Sequence, residues 1–316
     1  MHLSWFQFVT VLVLIVAIVC GFLGNSLVLI AFILSKKIRT CKTNIFIVNL
    51  AVTDILTITP MFGVICLSVA DEQIIRQSIH LLCGLPAALG RTFVGCSIIT
   101  LVLIAVNRWI LITKRFETYL KVYRLKNVFI MLLLTWLYSV ILSLLPIFFD
   151  RGEFHFNAKF RICQVTVTNQ LTFRISSNVI LPYFTIAPIL VVYCYGSIFR
   201  HVKAHRRRTR DQESTINSAI SMPLHVLVLF PFRNQRGRGR HENQILKHRI
   251  DITKNLLLVV IVFTIFLLPY VVAGLLQCED VIIQRTLQIT LLNSFVNPII
   301  YSVKHPSINT YLSVFC

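Results

Sequence analysis

Long apolar runs separated by short polar, mostly basic stretches dominate this chain. A helix needs roughly 20 apolar residues to cross a bilayer. Seven runs are of that kind: 5–34, 44–70, 77–107, 128–149, 175–199, 255–277 and 286–303. Within them the charged residues are Asp54 and Arg91. Barrel strands alternate apolar and polar residues at every second position, and these runs do not. The pattern predicts an all-α membrane protein, a seven-transmembrane helix bundle forming one domain over 1–316. The first run has no basic leader and is far longer than a signal-peptide core, so it reads as a span.

Two segments outside the seven runs carry a pattern of their own. Residues 200–254 form a long basic third loop, and inside it lies an apolar stretch, 219–232, with Pro223 and Pro231. It is too short to span. Two readings stand: a loop resting on the membrane surface, or a gene-model insertion with no role. At the other end of the chain, Pro306 suits the first turn of a helix. Ile308, Tyr311, Leu312 and Phe315 then recur at i, i+3, i+4 and i+7, which predicts a short membrane-surface helix over 306–316. Cys316 is either a palmitoylation site or a free thiol.

Composition sharpens this picture. The 316 residues are 56% hydrophobic and 14% charged, with a formal net charge of +19. Soluble domains average roughly 25% charged residues, so a soluble nucleic-acid binder, which the net charge alone would suggest, is excluded, as is an ordinary soluble enzyme. The basic residues are confined to loops. Lys36, Lys37, Arg39 and Lys42 follow the first run, and Arg108, Lys114, Arg115, Lys121, Arg124 and Lys126 follow the third. The third loop is richer still. The alternate loops hold only Arg76, Arg151, Lys159, Arg161, Arg174 and Arg285. The positive-inside rule puts the C-terminus in the cytoplasm and the N-terminus outside. Basic inner loops of this kind attract anionic membrane lipids as well as acidic protein surfaces. No nucleotide-binding glycine loop, HExxH or paired Cys-x-x-Cys is present, so no enzyme is predicted.

Charges inside the bilayer are costly and usually functional. Asp54 needs partners, and Asn25, Ser97, Asn293, Ser294 and Asn297 are candidates on other spans. Such a cluster either binds a small cation or closes a hydrogen-bond network between helices. Arg91 also has two readings. It pairs with an anionic ligand group in the outer half of the bundle, or it snorkels to the interface or pairs with Glu279 or Asp280.

Gly24-Asn25, Leu50-Ala51-Val52-Thr53-Asp54, Asn107-Arg108-Trp109, Trp136 and Asn297-Pro298-Ile299-Ile300-Tyr301 occur in order on successive spans. Together they resemble the rhodopsin-like (class A) G-protein-coupled receptors over nearly the whole chain. The resemblance implies a plasma-membrane receptor with a heterotrimeric G-protein partner. It gives Asp54, Ser97, Asn293 and Ser294 the place of a sodium pocket that favours the inactive state. It gives Arg108 the G-protein contact, Tyr195 and Tyr301 the stabilisation of the open state, and Pro269 the sixth-helix kink. Phe263 and Ile98 match relay positions, although ordinary packing explains Ile98 as well. Phe116 matches an apolar residue that inserts into the G protein. Cys83 and Cys163 match the bridge from the third helix to the second outer loop.

The departures are as informative. Asn107 stands where the family usually has an acid before the arginine, and Lys247-His248-Arg249 replaces the acidic partner on the sixth helix. Raised basal activity is the expectation. Leu267 stands at the toggle-tryptophan position. Gly90 occupies the place of the aminergic aspartate, which disfavours a biogenic amine. Melatonin receptors share the asparagine before the arginine but follow it with tyrosine, where this chain has Trp109. Residues 286–303 hold no lysine, which excludes a retinal Schiff base. The expected ligand is a small molecule or short peptide bound within the outer half of the bundle. Two alternatives are a receptor-like protein with ligand-independent or lost signalling and, less favoured, a transporter.

Overall fold

The computed structural model describes residues 5–40, 44–149, 153–158, 161–166, 186–210, 232–276 and 278–304. The helices are α1 (Trp5–Leu34), α2 (Lys36–Thr40), α3 (Asn44–Leu56), α4 (Ile58–Val69), α5 (Glu72–Gln77), α6 (Leu85–Thr113), α7 (Phe116–Val122) and α8 (Leu125–Phe149). After them come α9 (186–210), α10 (Phe232–Leu275), α11 (Asp280–Leu291) and α12 (Asn293–Lys304). Gln7–Leu34, Asn44–Val69, His80–Thr113, Leu125–Leu144 and Thr253–Leu275 are each long and apolar enough to cross a membrane. The fifth span is described from residue 186 onward. The seventh is divided between α11 and α12 at Leu292.

The bundle has an apolar core, in which Phe46, Leu50 and Val259 are buried, with polar groups set within it. Its outward faces are apolar, as at Trp5, Val192, Leu133 and Ile265, all exposed. Its interior holds Asn25, Thr53, Asp54, Asn107 and Asn297, all buried. Helices satisfy their own backbone groups, as hydrocarbon requires, and side-chain hydrogen bonds run both back to a helix's own carbonyls, as from Thr100 to Cys96, and between helices, as from Asn49 to Thr100.

Proline and small residues set the shape. Pro60 has no N–H, so it cannot donate back to the Leu56 carbonyl. The second span breaks there into α3 and α4, and the buried Thr57 hydroxyl donates to the Thr53 carbonyl at 2.8 Å. A single wide turn, His80–Gly84, precedes α6, with Pro86 in the first turn of α6. Pro269 lies inside α10 and Pro298 inside α12. A Cβ at Gly24 would sit 2.5 Å from the Pro298 Cβ, and one at Gly63 would sit 2.6 Å from the Pro86 Cγ. Small residues allow such close approach between helices. Gly24→Ala is therefore expected to force α1 from α12 and cost about 1–3 kcal/mol, read as a lower thermal midpoint of the purified protein. An unchanged midpoint would refute the close approach.

One end of the bundle is covered by a hairpin that the apolar pattern does not announce. Strands β1 (Glu153–Asn157) and β2 (Ile162–Thr166) pair antiparallel, with Phe156 opposite Cys163. Arg161, in the turn, has φ 50°, a left-handed conformation uncommon for a residue other than glycine. Its guanidinium donates to the carbonyls of Leu67 and Ala70, capping the last turn of α4, where a cation is favoured. Cys83 and Cys163 form a disulfide. Around it, Leu67, Ile75 and Phe156 make a second apolar cluster distinct from the main core.

At the opposite end the helices run further than the apolar runs. α9 continues to residue 210 and α10 begins at Phe232, so much of 200–254 is helical rather than loop. Of 219–232 only Phe232 is described, and 306–316 lies outside the described residues.

Candidate functional site

The break at Thr57 places Asp54 on the last turns of α3, facing the bundle axis. Its carboxylate is 2% exposed. Oδ2 accepts a hydrogen bond from Asn297 Nδ2 at 2.8 Å, and the Ser294 hydroxyl lies close to the same carboxylate. Asn25 Nδ2 donates to the carbonyls of Gly21 and Ser294, each at 2.9 Å, which ties α1 to α12. Ser97 reaches the group indirectly, donating to Thr53 Oγ1 at 3.3 Å. Asp54, Ser294, Asn297 and Asn25 are thus brought together, with Ser97 one hydroxyl removed and Asn293 beside them in sequence on α12.

The cluster is not self-satisfied. Both polar atoms of the Asn293 side chain, Asn25 Oδ1 and Asn297 Oδ1 are buried with no hydrogen-bond partner among the described residues. Buried polar atoms normally find partners. One carboxylate with several unsatisfied amide oxygens is an oxygen-only donor set, which suits a hard cation rather than a transition metal. No group of three or more His, Cys, Asp or Glu that could hold a metal ion occurs among the described residues.

A second polar knot lies one turn away. Asn49 Nδ2 donates to Thr100 Oγ1 at 2.9 Å. Asn49 Oδ1 accepts from Trp136 Nε1 at 3.0 Å. One amide thereby fixes α3, α6 and α8 together. Sequence reading marks Trp136 but misses Asn49 and Thr100. The signal available was an asparagine five residues before Asp54, on a run otherwise mostly apolar.

At the end away from the disulfide, Arg108 is buried, and the Tyr195 hydroxyl of α9 lies within its electrostatic reach. Asn107 lies beside Tyr123 of the turn after α7, and its buried Nδ2 has no hydrogen-bond partner among the described residues. Trp109 Nε1 donates to Ser197 Oγ at 3.0 Å, with the Lys114 ammonium 5.1 Å from the indole centroid. Phe116 is 54% exposed and stacks on Tyr119; it is not buried against the helix ends. Phe263, Leu267 and Ile98 are buried. With Tyr195 they line an apolar cavity of about 490 Å³ between α6, α9 and α10. The backbone of Tyr301 belongs to α12; its side chain lies outside the described residues.

The description "7 transmembrane receptor (rhodopsin family)" matches residues 24–301. The chain belongs to the rhodopsin-like, class A family of G-protein-coupled receptors. It is 29% identical to Melanopsin-A of Danio rerio, over 91% of this chain and 46% of that protein. It is 26% identical to a GQ-coupled rhodopsin of Mizuhopecten yessoensis, over 96% of this chain and 60% of that one. Melatonin receptor type 1C of Gallus gallus is 30% identical, over 69% of this chain and 61% of the receptor. The chain spans about half the length of the curated relatives it matches. Squid rhodopsin shares the fold, with TM-score 0.74 over 97% of this chain and 84% of that one, at 19% identity. The class A receptor is therefore a non-enzymatic, multi-pass membrane protein. The Cys83–Cys163 disulfide falls where the family resemblance places it.

Proposed function

We propose that this receptor takes a small molecule or short peptide within the half of the bundle next to the disulfide and activates a heterotrimeric G protein at the Arg108 end. The disulfide end faces outward with the N-terminus, the Arg108 end faces the cytoplasm, and the receptor resides in the plasma membrane. The supporting observation is the arrangement of Arg108, buried beside Tyr195, at the end where the basic loops concentrate. Phe116, exposed at the same end, is the apolar contact for the transducer. In cells carrying G-protein dissociation sensors, Arg108→Ala at equal surface expression is expected to reduce ligand-independent signal to the level of untransfected cells. An unchanged signal in Arg108→Ala overturns the assignment.

The oxygen set of Asp54, Asn293, Ser294 and Asn297, with Ser97 behind it, is proposed to hold a sodium ion. The ion would neutralise Asp54 and satisfy the amide oxygens. The ligand is held without a covalent Schiff base, because no lysine lies between Asp280 and Val303, despite the similarity to melanopsins. A second reading is favoured by Leu267. Buried on α10 at the toggle position, it offers no indole to reorient, which suits a receptor that signals without ligand.

A further inference from the structure

Arg91 is the odd charge in the disulfide half of the bundle. The other basic side chains described there have partners. Arg76 pairs with Glu72 at 2.6 Å, Arg161 caps α4, and Arg285 Nη1 donates to Gln288 at 3.1 Å. Arg91 has no hydrogen bond or ion pair among the described residues, and its Nε is sealed from solvent without a partner. Asp54, the acid within the spans, is engaged by Asn297. Glu279 is exposed and forms no ion pair with Arg91, and the Asp280 side chain lies outside the described residues. Across the bundle, Tyr270 of α10 lies within electrostatic reach of the guanidinium. Arg91 lies eight residues after Cys83, about 12 Å along the third span at 1.5 Å per residue. It is held there by the disulfide and by Ser143 Oγ, which donates to the Ala88 carbonyl at 2.6 Å.

A half-buried guanidinium whose Nε has no partner among the described residues is costly, and its planar fork matches a carboxylate bidentately. Tyr270 adds one hydroxyl donor from the facing helix. We infer that Arg91 and Tyr270 form the anion subsite of the ligand pocket and that the ligand carries a single carboxylate on an apolar body. This rests on the receptor reading above and specifies its ligand. The charge balance selects the class. One guanidinium neutralises one carboxylate, whereas a phosphate carrying close to two charges would leave a net negative charge among apolar helices. The body is apolar because the positions one turn from Arg91 on α6 are Ala87, Ala88, Val94 and Gly95.

The test uses the full chain in lipid nanodiscs, with octanoate, phenylacetate and indole-3-acetate as probes. Their primary amides and phenyl phosphate serve as controls. At least one carboxylate is expected to raise the thermal midpoint of the wild type while its amide does not. Arg91→Gln should weaken that carboxylate at least tenfold and Tyr270→Phe severalfold. Without ligand, Arg91→Gln should be as stable as the wild type or more so, because no partner among the described residues is lost. Three results overturn the inference: no carboxylate that separates wild type from Arg91→Gln, phenyl phosphate outranking every carboxylate, or an unliganded Arg91→Gln that unfolds several degrees lower. Failure here with the Arg108-dependent signal intact leaves the receptor reading standing. Carboxylate binding without any Arg108-dependent signal has the opposite meaning.

Discussion

Cys83→Ser, Cys163→Ser and the double variant are expected to lose about the same stability, and the loss should be large. The two cysteines close a loop with a sequence separation of 80. Chain-entropy arguments give about 4 kcal/mol for a loop of that order in an unconstrained chain. Spans already inserted in a bilayer restrict that loop, so about 2–3 kcal/mol is the expected effect. The bridge carries more than entropy here. It anchors β2 to the turn before α6, and with Phe156, Leu67 and Ile75 it forms the small apolar cluster separate from the main core. Arg161 reaches α4 from the same hairpin. Thermal unfolding and surface expression check the expectation, and reducing agent should bring the wild type to the level of the double variant. A loss under about 0.5 kcal/mol, the range of neutral surface changes, would mean that the hairpin docks without the bond.

Much of this architecture is legible in the sequence, because a membrane imposes length and polarity on each span. Trp5–Leu34 is both the first apolar run and α1. The apolar pattern is less informative at the span ends. α10 begins at Phe232, far before the apolar stretch, because once a helix is nucleated propagation is cheap even through Arg, Gln and Lys; a hydropathy pattern does not register such polar helix. The hairpin is hidden for the converse reason: short strands of mixed polarity, Glu153–Asn157 and Ile162–Thr166, leave no long apolar signal. Motif order marks Asp54, Asn297 and Arg108, and all three are buried. Which neighbour each takes depends on rotamer and helix rotation. Ser97 turns to Thr53, Asn107 lies beside Tyr123, and Tyr270 faces Arg91 across the bundle. A single sequence carries no information on those choices.

Asn297→Leu and Asp54→Asn are expected to act in different ways, and the difference tests the sodium assignment. Asn297→Leu removes the donor at 2.8 Å from Asp54 Oδ2 and leaves the carboxylate in an apolar setting with the Ser294 hydroxyl close by. Stranding a buried charged group costs about 3 kcal/mol or more. Asp54→Asn removes the charge while keeping an amide that can still bond Asn297, so its cost without sodium is expected to be smaller. The two variants also separate in salt. A ligand that binds only the folded state stabilises it by RT ln(1 + [L]/Kd), so the wild-type midpoint should climb as sodium chloride replaces choline chloride at constant ionic strength. Asp54→Asn should show no such climb, because the amide cannot supply the anionic oxygen that a hard cation prefers. Asn297→Leu retains the anion and should keep part of the response. In signalling assays the same sodium titration should lower basal activity of the wild type and not of Asp54→Asn, since an ion held between α3 and α12 favours the closed packing of those helices. Equal sodium responses in wild type and Asp54→Asn would remove the ion from the site and leave the unsatisfied oxygens of Asn25, Asn293 and Asn297 to another partner.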